Sequence, residues 1–475
     1  MPHRWRRSYL LIFSIVLFDA TVDAQVGIPF DRAPQTARTA DSLESQMLQM
    51  QQRMGQYEHE MQRLLNPQAD RTSGQLANWS EHSIVGDGKP EQVDIITKPT
   101  HKIRGRLYFD HVMFDDDPAL GVDRENETGF DTARVGMQGN IFENVKYQIE
   151  IEFEGTEVDF KTVYMEVNHL PWLGNFRVGH FYEPISGLDE VSGSRYQMFM
   201  ERSLATTAFN PSRSYGYMAW NYLEAPDVYW GVGGFRHESD DSPNKAGLIK
   251  GDSGDWVLTS RLAWTPYYDE PSDGRYVVHL GMGYSYRTDA EQVLFRTVTE
   301  LGNQTGFLAA TVPGDQNYSL FVPELLVIWG PFSVQSELYY AAPGSGTSLW
   351  GGYVEASWFL TGDHRGYNRQ QKHLTRPHVI EDFFTVLTLD GLCKGTGAWE
   401  LKARWSHADL SEAADPAPAV TTQTRGVQNN FLTGFNWYLN SYTRVMFDYL
   451  YEDVDLVSGV NGHTHTFGTR MQVHW

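Results

Sequence analysis

Arginine side chains recur on the polar faces of segments in which apolar and polar residues alternate. A guanidinium group matches the oxygens of a phosphate or carboxylate with two parallel hydrogen bonds, so these residues could bind or guide anions. They could instead pair with acidic side chains such as Glu150, Glu152 and Glu400 on similar faces. The arginines concerned are Arg104, Arg106, Arg134, Arg177, Arg404, Arg444 and Arg470.

Two smaller clusters contain residue types that bind metals. His463 and His465 flank Thr464, but no cysteine or further ligand at a suitable spacing completes a zinc site. The acidic run Asp115 to Asp117 could bind Ca²⁺ together with loop carbonyl groups. We interpret the histidines as a loop or strand-end pair and the aspartates as a solvated loop. No metal or other cofactor is therefore expected.

Several function classes are disfavoured by motifs and charge. The sequence has no Gly-x-Ser-x-Gly elbow and no His-Glu-x-x-His motif, which are signatures of two common hydrolase classes. Paired carboxylates are plentiful, so their presence neither supports nor excludes a glycosidase. A net charge of −22 argues against nucleic-acid binding. We therefore expect a protein that is not an enzyme.

The segment Lys146 to Phe153 alternates strictly between apolar and polar residues. This period of two predicts a β-strand with one apolar and one charged face. A soluble β-sandwich would alternate as well, but similar segments recur from Lys102 onward and favour a larger all-β structure. They include Phe431 to Leu439, Arg444 to Tyr451 and Phe467 to Trp475.

Aromatic residues and turns recur between the predicted strands. Short turn signals, such as Pro271 to Gly274, occur beside long polar stretches such as His237 to Asp255. Aromatic girdles, short turns at one end and long loops at the other are typical of outer-membrane β-barrels. The single cysteine, Cys393, excludes an intramolecular disulfide. The aromatic residues near strand ends are Tyr217, Trp220, Tyr222, Tyr229, Trp230, Trp256, Trp264, Tyr267 and Tyr268.

The chain begins with features of an export signal. A basic start, an apolar run and small residues before Ala24 predict a cleaved signal peptide over residues 1–24. Within the N-terminal region 25–66, apolar residues at spacings of four and three predict a heptad helix over about 41–65. A short coiled coil and a single amphipathic helix explain this pattern equally well. A polar linker follows over residues 67–100, and the barrel is predicted over 101–475.

Several motifs occur in a characteristic order. They are Val178 to Asp189 followed by Met200 to Leu204, then Phe359 to Asp363, Gly397 to Leu401 with Arg404 to Ser406, and Gly434 to Asn440. From about Lys102 to Trp475, the chain resembles the phosphate-selective porin O and P family. The resemblance implies an antiparallel barrel of about sixteen strands, commonly trimeric, with an inward-folded loop that narrows the channel.

The loop from Gly187 to Pro211 is the candidate for this constriction. It carries Arg195 and Arg202, but also Asp189, Glu190 and Glu201. Phosphate-selective members are richer in lysine over this stretch, and Glu190 stands where a lysine is expected. Phosphate itself is therefore not assigned as the solute.

The sequence thus predicts an outer-membrane porin that gives passive diffusion of small hydrophilic solutes, with anions such as phosphate as candidate solutes. Alternatives are a secreted or outer-membrane β-rich hydrolase, and a non-conducting structural barrel. We favour pairing with lumen carboxylates over an anion ladder for most arginines, because polar lumen faces are general in porins. Expected partners are outer-membrane lipid, small solutes or anions and two further copies in a homotrimer. The expected location is the outer membrane of a Gram-negative-type bacterium, with the N-terminal helix in the periplasm.

Overall fold

The alternating part of the chain forms a closed antiparallel β-barrel of 16 strands in the computed structural model. The structure describes residues 99–475 except 143, 155–156, 237–255, 289–292, 313–316, 345, 385, 389–390 and 417–422. The predicted signal peptide, the heptad helix and nearly all of the linker lie outside the described residues. Among the described residues, no helix is long and apolar enough to cross a membrane.

The barrel strands follow chain order, each paired with the next. They are β1 (Thr100–Asp115), β2 (Glu127–Phe142), β3 (Val145–Glu154), β4 (Glu157–Leu170), β5 (Gly174–Tyr182), β6 (Arg213–Leu223), β7 (Val228–Arg236), β8 (Trp256–Tyr268), β9 (Tyr276–Arg287), β12 (Tyr318–Trp329), β13 (Phe332–Pro343), β14 (Leu349–Phe359), β19 (Ala398–Asp409), β20 (Gly426–Asn440), β21 (Thr443–Leu456) and β22 (Asn461–His474). Pairing of β1 with β22 closes the sheet. The prediction of an antiparallel barrel of about sixteen strands is confirmed.

The connections contain further short elements. Three two-stranded sheets are formed by β10 (Val293–Val298) with β11 (Thr305–Val312), β15 (His364–Asn368) with β16 (His373–His378), and β17 (Val386–Thr388) with β18 (Gly391–Cys393). One α-helix, α1, spans Leu204–Phe209, and single helical turns cover Pro118–Leu120, Gly187–Val191 and Glu270–Ser272.

Strand β3 shows which face of the sheet points outward. Glu150 and Glu152 are buried inside the barrel, whereas 37% of Ile149 and 53% of Phe153 is exposed on the outside. Apolar side chains outside and charged side chains inside are the arrangement of a membrane barrel, because lipid surrounds it and water enters it. The inner face is not uniformly polar, however, since Leu432, Met446 and Leu450 face inward and pack against other buried residues.

Two aromatic residues depart from the predicted girdles. Trp220 and Tyr229 are buried inside the barrel, whereas Tyr217 on the same strand as Trp220 is exposed on the outer surface. The prediction that Trp220 and Tyr229 belong to an interfacial girdle is therefore wrong. Tyr217 and Trp220 are three positions apart, so alternation puts them on opposite faces of β6. Their position near a strand end does not by itself show which of the two faces the lipid.

The lengths of the connections do not divide between the two ends of the barrel as clearly as predicted. At the end where β1 begins, called here the terminal end, most turns are short, as at 330–331 and 441–442. The connection from β14 to β19 lies at this same end and runs over residues 360–397. The expectation of short turns throughout one end is wrong for this segment. The part of this connection that forms β15 and β16 instead lies in the lumen, where Arg365 contacts Glu400 of β19 and the Lys372 carbonyl accepts from Arg261 of β8.

Candidate functional site

The connection between β5 and β6, residues 183–212, folds into the barrel, and we call it the constriction loop. Ser186 Oγ and the Leu188 N–H donate hydrogen bonds to Glu337 on β13, at 3.0 and 3.1 Å. Gly283 on β9 permits a close approach of the loop, because a Cβ atom there would lie 2.0 Å from the carbonyl oxygen of Ile185. The loop is therefore held across the lumen against β9 and β13.

Strands at the C-terminal side of the barrel hold the loop by its carbonyl oxygens. Arg444 donates to the Gln197 carbonyl at 2.7 Å, and Arg404 donates to that of Glu201 at 3.0 Å. Arg470 donates to the Met200 carbonyl at 2.5 Å. These three predicted anion candidates anchor the loop rather than line open space.

A hairpin of β15 and β16 enters the barrel from the terminal end. Arg365 forms a 2.6 Å ion pair with Glu400 on β19 and donates to the Tyr196 carbonyl in the constriction loop at 3.1 Å. The Leu374 N–H donates to Ser192 Oγ, also in the loop, at 3.0 Å. The hairpin and the loop thus meet inside the barrel and fill much of the lumen on one side.

A cavity of about 450 Å³ remains between these segments and strands β1 to β8. It reaches from Lys102 and Trp475 at the terminal end to the constriction loop. Among the described residues, Glu150 is the only acidic residue that lines it. The basic residues that line it are Lys102, Arg104, Arg106, Arg177, Arg195, Arg213, Arg261 and Arg376.

Glu150 does not neutralise this lining, because several guanidinium groups share its one carboxylate. Arg106 lies 2.5 Å from it, and Arg104, Arg134 and Arg195 lie at 3.6 to 3.7 Å. Buried like charges of this kind are costly unless anions or water compensate them. The cavity wall therefore carries an excess of positive charge.

Arg213 and Arg376 are among the basic residues of the lining for which the described part of the chain supplies no acidic partner. Within the described part of the chain, neither Arg213 nor Arg376 has a carboxylate oxygen within 4.0 Å. Arg213 donates to Thr162 Oγ1 at 2.9 Å and lies over the Tyr182 ring. Arg376 lies over the Tyr442 ring, with its guanidinium carbon 3.9 Å from the ring centroid.

One titratable residue of the hairpin also lines the cavity. Burial lowers the pKa of His373 to about 4. Its imidazole is therefore neutral at physiological pH. The positive charge of the lining then comes from arginine and lysine, which stay protonated over a wide pH range.

The predicted anion candidates fall into two groups. Arg104, Arg106, Arg177 and Arg195 line the cavity, although Arg177 also pairs with Glu166 at 2.7 Å. The others are paired or anchoring: Arg134 with Glu152, Arg202 with Glu190, Arg404 with Glu355, Arg470 with Asp110, and Arg444 with the Gln472 side chain.

Four basic residues that line the cavity were not predicted from the sequence: Lys102, Arg213, Arg261 and Arg376. Arg261 follows Val257 and Thr259 on the buried face of β8, so its alternation could have identified it. Arg213 is the first residue of β6, and Arg376 belongs to the infolded hairpin. At neither position does the local sequence pattern show that the side chain faces the lumen.

The smaller clusters have structural partners. Asp116 forms a 2.7 Å ion pair with Arg124, and Asp117 accepts a hydrogen bond from the Ala119 N–H at 2.9 Å. His465 Nδ1 lies 2.7 Å from the Tyr449 hydroxyl. These contacts give Asp116, Asp117 and His465 partners within the protein.

Carboxylates of Asp110, Asp131 and Glu201 also lie near one another. Arg470 stands between them, at 2.6, 3.0 and 2.5 Å respectively. Burial raises the pKa of Glu201 to about 7, although Arg470 opposes this effect. The guanidinium group already supplies the positive charge that this cluster requires.

Most of the chain is similar to known protein families and structures. A family model described as phosphate-selective porin O and P matches residues 102–475. An uncharacterized protein of Caulobacter vibrioides is 28% identical over 333 residues, which are 66% of this chain and 62% of that relative. The chain thus spans less than two thirds of the length of this curated relative.

Solved outer-membrane proteins show distant structural similarity. An anion-selective porin from Comamonas acidovorans has a TM-score of 0.47 and 10% identity, over 80% of this chain and 100% of that one. The outer membrane channel DcaP of Acinetobacter baumannii has a TM-score of 0.47 and 10% identity, over 79% of this chain and 97% of that one.

The family match extends over the entire barrel, including all the residues that line the cavity. It confirms the predicted family and an outer-membrane location. It also favours a channel over the hydrolase that was kept as an alternative. The chain belongs to the phosphate-selective porin O and P family.

Proposed function

We propose that this barrel is an outer-membrane porin through which small anions diffuse passively. The observation that carries the proposal is the lining of the cavity, which combines eight basic residues with one acidic residue. Anion pores are built from arginine and lysine groups at the point where water is excluded. A narrow, positively lined passage raises the local concentration of anions and repels cations.

The arrangement of charges supports anions rather than cations despite a net charge of −22. Exposed charges farther away than about 10 Å are largely screened at 0.1 M salt. The charged groups at the constriction therefore determine whether anions or cations are preferred. Of the lining arginines, Arg195 belongs to the constriction loop, and Arg106 donates to Ser194 Oγ of this loop at 3.0 Å.

The proposal extends to location and assembly. The terminal end, which carries most short turns, would face the periplasm, and the long connections of the opposite end would face outward. A homotrimer is proposed on the basis of the family resemblance. Phosphate is one candidate solute among small anions. The resemblance implies more lysine at the constriction of phosphate-selective members, whereas Lys102 is the only lysine among the described residues that line this cavity.

A non-conducting structural barrel is a second candidate, since the constriction loop and the hairpin fill part of the lumen. Purified protein in planar lipid bilayers distinguishes the two. We expect stepwise current increases on insertion, and none with protein heated beforehand in detergent. Insertion without current, verified by protease protection in liposomes, would favour the structural barrel.

A further inference from the structure

The two sides of the cavity differ in chemistry. Arg104 and Arg106 on β1, with Arg195 of the constriction loop, supply charge on one side. Strands β4 to β7 supply the other side with flat rings. We call this side the aromatic wall, and it consists of Tyr164, Phe181, Tyr182, Trp220 and Tyr229.

The rings of the aromatic wall are held in place by one another and by a buried carboxylate. Trp220 Nε1 donates to Glu166 at 2.9 Å, and its ring centroid lies 5.9 Å from that of Tyr229. Tyr164 contacts Phe181 edge to face, with ring centroids 6.2 Å apart. The wall is therefore preorganised, so a ligand that stacks on it does not have to order it first.

Guanidinium groups lie directly on this wall. The Arg177 guanidinium carbon is 4.1 Å from the Tyr164 ring centroid, and that of Arg213 is 4.0 Å from the Tyr182 centroid. Stacking fixes a guanidinium by its flat face. Arg177 directs its N–H edge to Glu166, whereas Arg213 donates its Nε–H to Thr162 and keeps two terminal nitrogens beside the ring. The terminal N–H groups of Arg213 are thus hydrogen-bond donors for a carboxylate next to apolar ring surface.

An inorganic anion can use only the charged part of such a site. A fully hydrated phosphate or chloride ion has no apolar surface, so the aromatic wall offers it nothing beyond exclusion of water. An aromatic carboxylate can place its charge on the arginines and its ring on the wall. A cavity of about 450 Å³ accommodates a molecule of that size.

We infer that the cavity selects small organic anions with a flat ring, of the aromatic carboxylate class, over inorganic anions. The inference rests on the proposed function, because it assumes that anions enter this cavity. It makes Tyr164 and Tyr182, both partly exposed, specificity-determining residues.

The test measures how benzoate and phosphate, added separately, block the chloride current of the full-length protein in planar bilayers. We expect wild-type protein to be half-blocked at a lower concentration of benzoate than of phosphate. Tyr164→Leu with Tyr182→Leu keeps apolar side chains but removes the flat rings, so the half-blocking benzoate concentration should rise about two- to tenfold. The half-blocking phosphate concentration should stay unchanged.

Three controls separate stacking from structural damage. Tyr164→Phe with Tyr182→Phe keeps the rings and should block like wild type. Tyr217→Leu removes an outward-facing ring of β6 and should also block like wild type. Both leucine substitutions are also made singly, so that a double variant that does not assemble leaves two variants that report the effect.

The possible failures can be told apart. Equal half-blocking concentrations of benzoate and phosphate in wild type would overturn the inference while the channel remained anion-selective. An unchanged benzoate value in the leucine variants would do the same. A cation-selective wild-type channel, or no current, would overturn both the inference and the proposed function.

Discussion

Arg106 and Glu150 lie 2.5 Å apart on the wall of the cavity, and both side chains are buried. This pair does not make the wall neutral, because Arg104, Arg134 and Arg195 approach the same carboxylate. The lumen therefore combines the two roles that sequence analysis treated as alternatives. Some arginines pair or anchor, and others leave positive charge facing the cavity.

Replacement of Glu150 by glutamine should increase the preference for anions. A unit charge about 4 Å away is worth about 1 kcal/mol in water, or roughly fivefold in an equilibrium. We expect the chloride-to-potassium permeability ratio to rise by about this factor, as measured by reversal potentials in a KCl gradient. Glu152→Gln is the matched control, since Glu152 is also buried on β3 but does not line the cavity. An unchanged ratio for Glu150→Gln would show that the carboxylate does not face the permeation path.

Arg213→Gln should have the opposite effect. This arginine has no acidic partner among the described residues, so its removal subtracts one uncompensated positive charge. The permeability ratio should fall by roughly fivefold at most. Arg425→Gln, which removes a partly exposed arginine in the connection at 410–425, should leave the ratio unchanged. An equal loss in both variants would point to the overall net charge rather than to the cavity.

The anion preference should not change between pH 5 and 8 on account of His373. Burial lowers the pKa of this residue to about 4, so its imidazole gains a proton only as the pH falls through that value. The added positive charge should then raise the preference for chloride. Carboxylates protonate in the same range and act in the same direction, so His373→Asn is needed to isolate the histidine. Reversal potentials at pH 3.5 should show a smaller increase in this variant, and an equal increase would contradict the assignment.

Gly283→Ala should disturb the constriction loop. The new Cβ would collide with the Ile185 carbonyl, which belongs to the backbone and cannot rotate away. We expect noisier single-channel currents and faster cleavage of the loop by added protease. Gly129→Ala on β2 is the control, because a Cβ there meets no atom within 4 Å. Quiet currents in Gly283→Ala would mean that the loop is not held at this strand.

Much of the barrel could be predicted from the chain because each strand carries its own signal. The alternation in Lys146 to Phe153 and the motif from Val178 to Asp189 both report local structure, and β3 and β5 follow them. Which arginines anchor the constriction loop and which line the cavity could not be predicted in this way. Arg404 and Arg106 occupy similar inward positions and both donate to the constriction loop, but Arg106 also lines the cavity and Arg404 does not.

The infolded hairpin illustrates the same limit. Its contacts, such as Arg365 with Glu400 and Leu374 with Ser192, join residues far apart in the chain. Period-two patterns predict strands but not the place where a long connection comes to rest. Arg376 was missed for this reason.

The reversal potential of single wild-type channels in a tenfold gradient of KCl at neutral pH tests whether the positively charged lining controls permeation. We expect a reversal potential of the sign set by chloride, shifted towards zero when Arg106, Arg195 and Arg213 are replaced together by glutamine. A wild-type reversal potential of the sign set by potassium would contradict the positively charged lining as the basis of permeation.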